Sequence, residues 1–289
     1  MKWPRHFVAL LFITASAFAL APMSSGAAPS HVVCGQTVTT NTTLTSNLNC
    51  SGPGLIVRGE GTVLDLNSFT ITGSGTGDGV TVPLGESVTV RNGTIQGFNV
   101  GVRGGVQDGF TTTFTTLAGL TIRNNVVGIG LGLRILVKNS IITRNSSIGM
   151  DIGAANGDVV TGSLISENGS NGITLLGFAD GAVFSHNTFK NNGGDGLAAF
   201  DSSSTVVANF AIGNKGDGIR LETDLGPLSA PRYFIARNVA NHNGRLGISA
   251  CSRINPDHEC ADGMTDGGGN VANFNGDPRQ CVNVVCARQ

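Results

Sequence analysis

The segments 163–175, 187–199 and 209–221 read SLISENGSNGITL, NTFKNNGGDGLAA and NFAIGNKGDGIRL, and they decide the fold. Each segment begins with Ser or Asn, has an Asn five residues later, and has a Gly four residues after that Asn. Apolar and polar residues alternate after the Gly and also between the two polar positions, which predicts short strands with one buried face. The pattern therefore predicts short strands separated by sharp corners in every repeat.

The repeat covers most of the chain. The Gly-led strand recurs with a period of 21 to 29 residues, starting at Gly54, Gly79, Gly101, Gly128, Gly149, Gly172, Gly196, Gly218 and Gly247. The Asn before the Gly forms one column, Asn124, Asn145, Asn168, Asn192, Asn214 and Asn243, and a second column is Asn139, Ser163, Asn187, Asn209 and Asn238, with the pair Asn270 and Asn275 after the last start. Asparagine tolerates left-handed turns and can hydrogen-bond along a stack of identical amides.

These columns predict an all-β, single-stranded right-handed parallel β-helix of about nine coils, with an apolar interior and inward-stacked asparagines. A leucine-rich repeat has a similar period, but its fixed leucine framework is absent. We expect four segments: a removed signal peptide at 1–28, an N-terminal cap at 29–53, the coils at 54–250, and a C-terminal coil and cap with cysteine loops at 251–289.

The signal peptide is predicted from the charged start, the apolar run 7–20 and the small residues that follow. We therefore expect a secreted protein or one at the exterior of the cell envelope, periplasmic if the source is Gram-negative. No later stretch is long and apolar enough to predict a membrane span.

Export makes disulfides permissible, and the six cysteines lie only at the two ends of the chain. Pairing within each end is the economical choice, which favours Cys34 with Cys50, Cys251 with Cys260, and Cys281 with Cys286, although six cysteines allow 15 connectivities. Their spacing fits no zinc pattern, so no metal site is predicted from them.

Composition narrows the class of partner. Removal of Lys2 and Arg5 with the signal leaves 16 basic against 19 acidic residues, a net charge of −3, so nothing indicates a nucleic-acid partner. Trp3 is the only tryptophan and Tyr233 the only tyrosine. The mature chain therefore has almost none of the amphipathic rings on which sugars stack. We expect a monomer.

The runs 62–73 (TVLDLNSFTITG) and 91–98 (RNGTIQGF), together with the Gly- and Cys-containing tail 268–286, resemble the right-handed parallel β-helix repeat proteins of the pectin-lyase-like superfamily. That superfamily holds lyases, glycoside hydrolases, epimerases and adhesins, so the resemblance implies the fold and an extracellular or cell-wall polysaccharide as partner, without choosing an activity.

The catalytic sets of that superfamily are not found in the sequence. The string Glu222-Thr223-Asp224 is the nearest to the hydrolase Asn-Thr-Asp motif and lacks its companions. The string Asn255-Pro256-Asp257-His258-Glu259 resembles the epimerase Asp-Pro-His-Glu motif, but the Asp is on the wrong side of the Pro. A polar turn between Cys251 and Cys260 is the alternative interpretation of that string.

The second residue after each glycine should point outward, which predicts one outward column: Ile56, Thr81, Arg103, Gly130, Asp151, Thr174, Ala198, Arg220 and Ser249. Arg103 and Asp151 are its candidate ligand-binding residues. The catalytic candidates are Arg220, Glu222, and the pair Asp195 and Asp217. Stacking should place the carboxyl groups of that pair about 5 Å apart, which suits a retaining glycosidase or a shared calcium ion. The competing interpretation is ordinary Asp-Gly turn chemistry.

Two functions follow from these observations. The missing catalytic sets favour a non-catalytic surface or interaction protein with a saccharide-binding face. The resemblance and the pair Asp195 and Asp217 support the alternative, an enzyme that acts on uronate-type polymers as a lyase, an epimerase or a glycoside hydrolase. No cofactor is predicted apart from that calcium ion.

Overall fold

The computed structural model describes residues 31–106, 114–132, 134–153, 157–177, 180–200, 203–223, 233–252 and 264–287. The predicted signal peptide lies outside the described residues, as do Cys260 and the string 255–259. The described residues form strands and turns. Among them there is no helix with the length and hydrophobicity needed to cross a membrane.

Thirty short strands follow one another in the part of the chain that the structure describes. The first ten are β1 Thr37–Val38, β2 Thr42–Thr43, β3 Leu48–Asn49, β4 Leu55–Val57, β5 Val63–Asp65, β6 Thr70–Thr72, β7 Asp78–Val82, β8 Thr89–Gln96, β9 Val100–Val106 and β10 Phe114–Arg123. The next ten are β11 Val127–Gly132, β12 Arg134–Lys138, β13 Ile141–Thr143, β14 Met150–Ile152, β15 Val159–Thr161, β16 Leu164–Ser166, β17 Ile173–Leu175, β18 Asp180–Ser185, β19 Thr188–Lys190 and β20 Leu197–Phe200. The last ten are β21 Ser203–Val207, β22 Phe210–Ile212, β23 Ile219–Thr223, β24 Tyr233–Ala236, β25 Val239–Asn241, β26 Ile248–Ser252, β27 Met264–Gly268, β28 Asn270–Asn273, β29 Cys281–Val282 and β30 Cys286–Ala287.

All the strand pairs of the described residues are parallel, and each joins equivalent strands of neighbouring coils. The long sheet contains one strand per coil, in the order β1-β4-β7-β9-β11-β14-β17-β20-β23-β26-β29. The second sheet contains the remaining strands, two per coil where a corner divides them and one long strand where β8 and β10 run through the corner. This is the predicted parallel β-helix. The coil number differs slightly from the predicted nine. Among the described residues the long sheet has eleven strands, because β1 and β29 extend it into the predicted cap regions.

The Gly that starts each strand of the long sheet has a steric reason. A Cβ atom added at Gly172 or Gly196 would lie 2.5 Å from the carbonyl oxygen of the equivalent glycine in the next coil. No side chain fits at that separation, so only glycine allows the coils to approach at this position. The repeat that identified the fold is therefore a packing requirement between coils.

The core is a continuous stack of aliphatic and aromatic side chains along the rod. Phe98, Phe184 and Phe189 are among its largest fully buried members. Phe210 and Phe234 are exceptions among the phenylalanines, since they are 38% and 39% exposed. Both precede an inward residue on the second sheet, and the alternation of a strand therefore turns them outward.

Two buried polar ladders run along the corners, as predicted. At the first corner, within the second sheet, the ladder is Ser140, Ser163, Asn187, Asn209, Asn238 and Asn270. At the second corner, before the long sheet, it is Asn125, Asn145, Asn168, Asn192, Asn214, Asn243 and Asn275. In the asparagine steps, each side-chain oxygen accepts the backbone N–H of the preceding member of the ladder.

The predicted N-terminal member of each column is wrong by one residue. Asn125 belongs to the second-corner ladder in place of Asn124, and Ser140 belongs to the first-corner ladder in place of Asn139. Asn124 and Asn139 are instead exposed and have left-handed φ values of 54° and 49°. Both positions of a corner suit asparagine, and only contact with the next coil shows which of them points inward.

Two disulfides close the ends. Cys34 bonds Cys50, and Cys281 bonds Cys286, which confirms two of the three favoured pairs. The third favoured pair, Cys251 with Cys260, stays a prediction because Cys260 lies outside the described residues. The described cysteine pairs tie down the first and last coils, where a solenoid has no neighbouring coil to cover its edge.

Candidate functional site

The strand register confirms that the column predicted on the long sheet stacks from coil to coil. Ile56, Thr81, Arg103, Gly130, Asp151, Thr174, Ala198, Arg220 and Ser249 are successive register partners. We call this the long-sheet face. Its middle part is tightly covered, because Thr174 is only 6% exposed and Ala198 is fully buried.

The carboxylates of Asp195 and Asp217 bind backbone N–H groups at the start of the long-sheet strands. Asp195 Oδ1 accepts the N–H of Asp217 at 2.7 Å, and Asp217 Oδ1 accepts the N–H of Leu246 at 2.9 Å. One coil earlier, Asn171 Oδ1 accepts the N–H of Asp195 at 2.8 Å. Each of the three side chains accepts a backbone N–H of the next coil. The two aspartates therefore extend a column of acceptors that begins with the amide of Asn171.

Arg220 lies beside Asp195 and joins the two aspartates to Glu222 in one group of charges, which we call the Asp195 cluster. Its guanidinium contacts Glu222 Oε1 at 2.5 Å and Asp195 Oδ2 at 3.5 Å. Its carbon Cζ lies 5.4 Å from the ring centroid of Phe200, within the range of a cation–π contact. The structure therefore brings together Asp195, Asp217, Arg220 and Glu222, the four catalytic candidates named from the sequence.

Burial and neighbouring charges shift the pKa values of Asp217 and Arg220 in this cluster. Burial raises the pKa of the Asp217 carboxyl above its ordinary value, the N–H of Leu246 lowers it, and the neighbouring Asp195 raises it. Burial lowers the pKa of Arg220, but the hydrogen bond and charge of Glu222 outweigh that effect and raise it overall. Arg220 is therefore a permanent cation between carboxylates.

The two ligand-binding candidates lie apart from this cluster. Arg103 Nε contacts Asp78 Oδ2 at 2.6 Å, so its charge is already paired within the protein. Asp151 is half-buried and lies two register steps from Arg103, which is about 10 Å at the usual strand spacing. Burial raises the pKa of the Asp151 carboxyl. The long-sheet face therefore carries two separate groups of charges.

Sequence reasoning missed two members of the Asp195 cluster. Phe200 lies under Arg220, and it could have been found because it is two residues beyond the outward Ala198 on the same strand. The second is Arg245, whose Nε lies 3.8 Å from Asp217 Oδ1. It occupies the turn of the next coil, so no local pattern connects it with Asp217.

The predicted calcium site finds no support in this geometry. Within the described ranges, no group of three or more His, Cys, Asp or Glu side chains is placed to hold a metal ion. Asp195 and Asp217 each direct one oxygen at a backbone N–H, which leaves fewer oxygen atoms free than the six to eight that calcium takes.

Comparison with solved structures finds the same fold. The periplasmic alginate epimerase AlgG is 15% identical, with a TM-score of 0.53, and the match covers 88% of this chain and 76% of the epimerase. The Dettilon tailspike protein is 14% identical, with a TM-score of 0.57, and the match covers 85% of this chain and 56% of the tailspike chain. At such low identity these matches show the fold alone. No curated protein sequence matches significantly.

The family comparison agrees with the structure. The model described as the right-handed beta helix region matches residues 31–226 and 135–270, which together span most of the chain. These residues include every coil start predicted from the glycine repeat and both buried ladders up to Asn270. The chain therefore belongs to the right-handed β-helix family.

Proposed function

We propose that this is an exported, non-catalytic β-helix protein that binds polysaccharide along the long-sheet face. Export is supported by the disulfides at both ends, which persist in oxidising compartments. A saccharide partner is supported by the resemblance of the chain to a polysaccharide-associated superfamily and by the alginate epimerase among its structural neighbours.

One observation carries the non-catalytic part of the proposal. Asp195 and Asp217 occupy the position that Asn171 occupies one coil earlier, and all three accept a backbone N–H in the same way. A general acid or a nucleophile needs an oxygen directed at the substrate. Since Arg220 engages the other oxygen of Asp195, this carboxylate is held by the protein on both sides.

The long-sheet face offers polar contacts at Arg103 and, two coils further on, at Asp151. Arg103 with Asp78, and then Asp151, present guanidinium and carboxylate groups spaced along the rod axis. A linear polymer that lies along the rod meets equivalent positions about every 4.8 Å. Such repetition supports many weak contacts with an extended chain better than one deep site.

The test measures binding and turnover in the same samples. We expect the protein to be retarded in affinity gels that contain a neutral glucan, a galactan or alginate, and to release no reducing or unsaturated ends from any of them. Arg103→Gln should weaken retardation at least threefold, whereas Arg58→Gln, which removes another exposed and ion-paired arginine of the N-terminal coils, should not.

Two results would contradict the proposal. Absence of retardation in every gel would remove the binding function. Turnover of any polymer that is abolished by Asp195→Asn or Asp217→Asn would replace it with the enzymatic alternative, since asparagine preserves the backbone hydrogen bond at either position.

A further inference from the structure

We infer that a groove at the first corner of the N-terminal coils is a second binding site, which takes a neutral saccharide through hydrogen bonds. The groove has a volume of about 470 Å³ and is lined by Asp65, Ser68, Asn92, Thr94, Gly119 and Thr121, among others. We call it the corner groove. It lies on the second sheet, so it is separate from the long-sheet face.

The groove exists because a side chain is missing from an exposed column. Asn92, Gly119 and Asn139 are successive left-handed corner residues, with φ values of 59°, 60° and 49°. A Cβ atom added at Gly119 would lie 3.2 Å from Asn92 Oδ1. The amide oxygen of Asn92 therefore projects over the space that a side chain at Gly119 would fill.

The floor of the groove carries a carboxylate that is held in place. Asp65 Oδ2 accepts a hydrogen bond from Arg91 Nε at 2.8 Å, and Asn92 Nδ2 donates to the same oxygen at 3.2 Å. Asp65 Oδ1 accepts the N–H of Asn67 at 2.8 Å. The Asp65 side chain keeps 17% of its surface exposed, so a ligand in the groove can reach the edge of the carboxylate.

Hydroxyl groups line the adjoining wall. Thr94 and Thr121 are register partners on neighbouring coils, and both lie on the outward side of their strands, next to the buried Ile95 and Ile122. Their hydroxyls are therefore presented one coil apart. Ser68 adds a third hydroxyl from the exposed end of the same corner.

These groups select the class of ligand. Sugar hydroxyls can donate to the oxygens of Asp65 and Asn92 and can accept from the threonine hydroxyls. A uronate or phosphate would bring its negative charge toward Asp65, whose own cation, Arg91, is already engaged. The volume lies within the range of ordinary ligand pockets, and a short saccharide is the ligand that uses donors and acceptors in this mixture.

The column itself supplies the test variants. Gly119→Asn should fill the groove with the residue that already stands at Asn92 and Asn139, in the same left-handed conformation. Gly162→Asn is the matched control, because Gly162 occupies the same corner position two coils further on, has φ of 58°, and lies outside the groove. In both variants the new Cβ meets the movable oxygen of an asparagine side chain.

The probes are maltotriose, cellotriose and galactotriose, with trigalacturonate as the charged comparison. We expect millimolar binding of at least one neutral trisaccharide by isothermal titration, with chemical-shift changes at the amides of Gly119 and Thr121. Gly119→Asn should weaken that binding at least tenfold, Gly162→Asn should leave it within twofold, and Thr121→Val should weaken it without filling the groove. Trigalacturonate should bind more weakly.

The outcomes separate this site from the long-sheet face. Binding that survives Gly119→Asn and Thr121→Val but is lost in Arg103→Gln overturns the corner groove and leaves the proposed function standing. No binding of any trisaccharide, or tighter binding of trigalacturonate than of all three neutral probes, also overturns the inference. Circular dichroism of each variant shows whether the coils are intact.

Discussion

Substitution of Asn192 by alanine tests whether the second-corner ladder holds the coils together. Asn192 is fully buried, and its Oδ1 accepts the backbone N–H of Asn168 at 3.2 Å, while its Nδ2 donates to the carbonyl of Ile165 at 3.1 Å. Alanine leaves these two backbone groups without that partner. The side chains of Asn168 and Asn214 each keep one alternative partner, the carbonyl of Ile142 and the N–H of residue 192.

The expected cost is about 2–6 kcal/mol, since each buried polar group that loses its partner costs about 1–3 kcal/mol. The assay is urea-induced unfolding followed by far-ultraviolet circular dichroism at a fixed pH. Asn191→Gly is the control, because Asn191 is the adjacent, exposed residue with φ of 54°, where glycine fits without strain. We expect it to change the free energy of unfolding by less than about 1 kcal/mol. Equal effects of the two substitutions would refute the ladder argument.

Three further outcomes are expected. In the chain-entropy model, closing a loop of about 15 residues stabilises a protein by about 3 kcal/mol, and a shorter loop contributes less. Cys34→Ser should therefore lower the urea midpoint of unfolding more than Cys281→Ser, whose loop is shorter. Equal midpoints, or the opposite order, would contradict this prediction. Burial raises the pKa of Asp158 to about 7. Between about pH 4 and pH 7 the unfolded state therefore binds fewer protons than the folded state. The free energy of unfolding should fall with rising pH in that window, by up to about 1.4 kcal/mol per pH unit. Urea unfolding should show lower stability at pH 8 than at pH 5, and Asp158→Asn should reduce that difference. Asp217→Asn should keep the hydrogen bond from the N–H of Leu246 and change the melting temperature little. Asp217→Ala removes that hydrogen bond and should lower the melting temperature by several degrees. Equal melting temperatures of the two variants would argue against a structural role of Asp217 in the turn.

The sequence determined the fold because the fold is built from contacts that repeat. A glycine must stand where the backbones of neighbouring coils approach most closely, and an asparagine suits the place where a buried corner needs both a donor and an acceptor. Both requirements recur once per coil, so they are visible as a period in one chain without any knowledge of distant contacts. The stacking of the long-sheet column followed from the same repeat and was confirmed by the strand register, whereas Thr174, Ala198 and Ser249 in that column are buried.

Tertiary structure alone decided what the charged and polar residues do. Asn124 and Asn125 are adjacent and chemically identical, and contact with Asn145 of the next coil selects Asn125 for the ladder. Asp195 and Asp217 were expected side by side, but their hydrogen bonds to backbone groups 22 and 29 residues away were not. The corner groove depends on Gly119 lying over Asn92, a neighbour one coil away. Local sequence records which residues suit a corner, whereas the role of a side chain depends on the residue that the next coil places beside it.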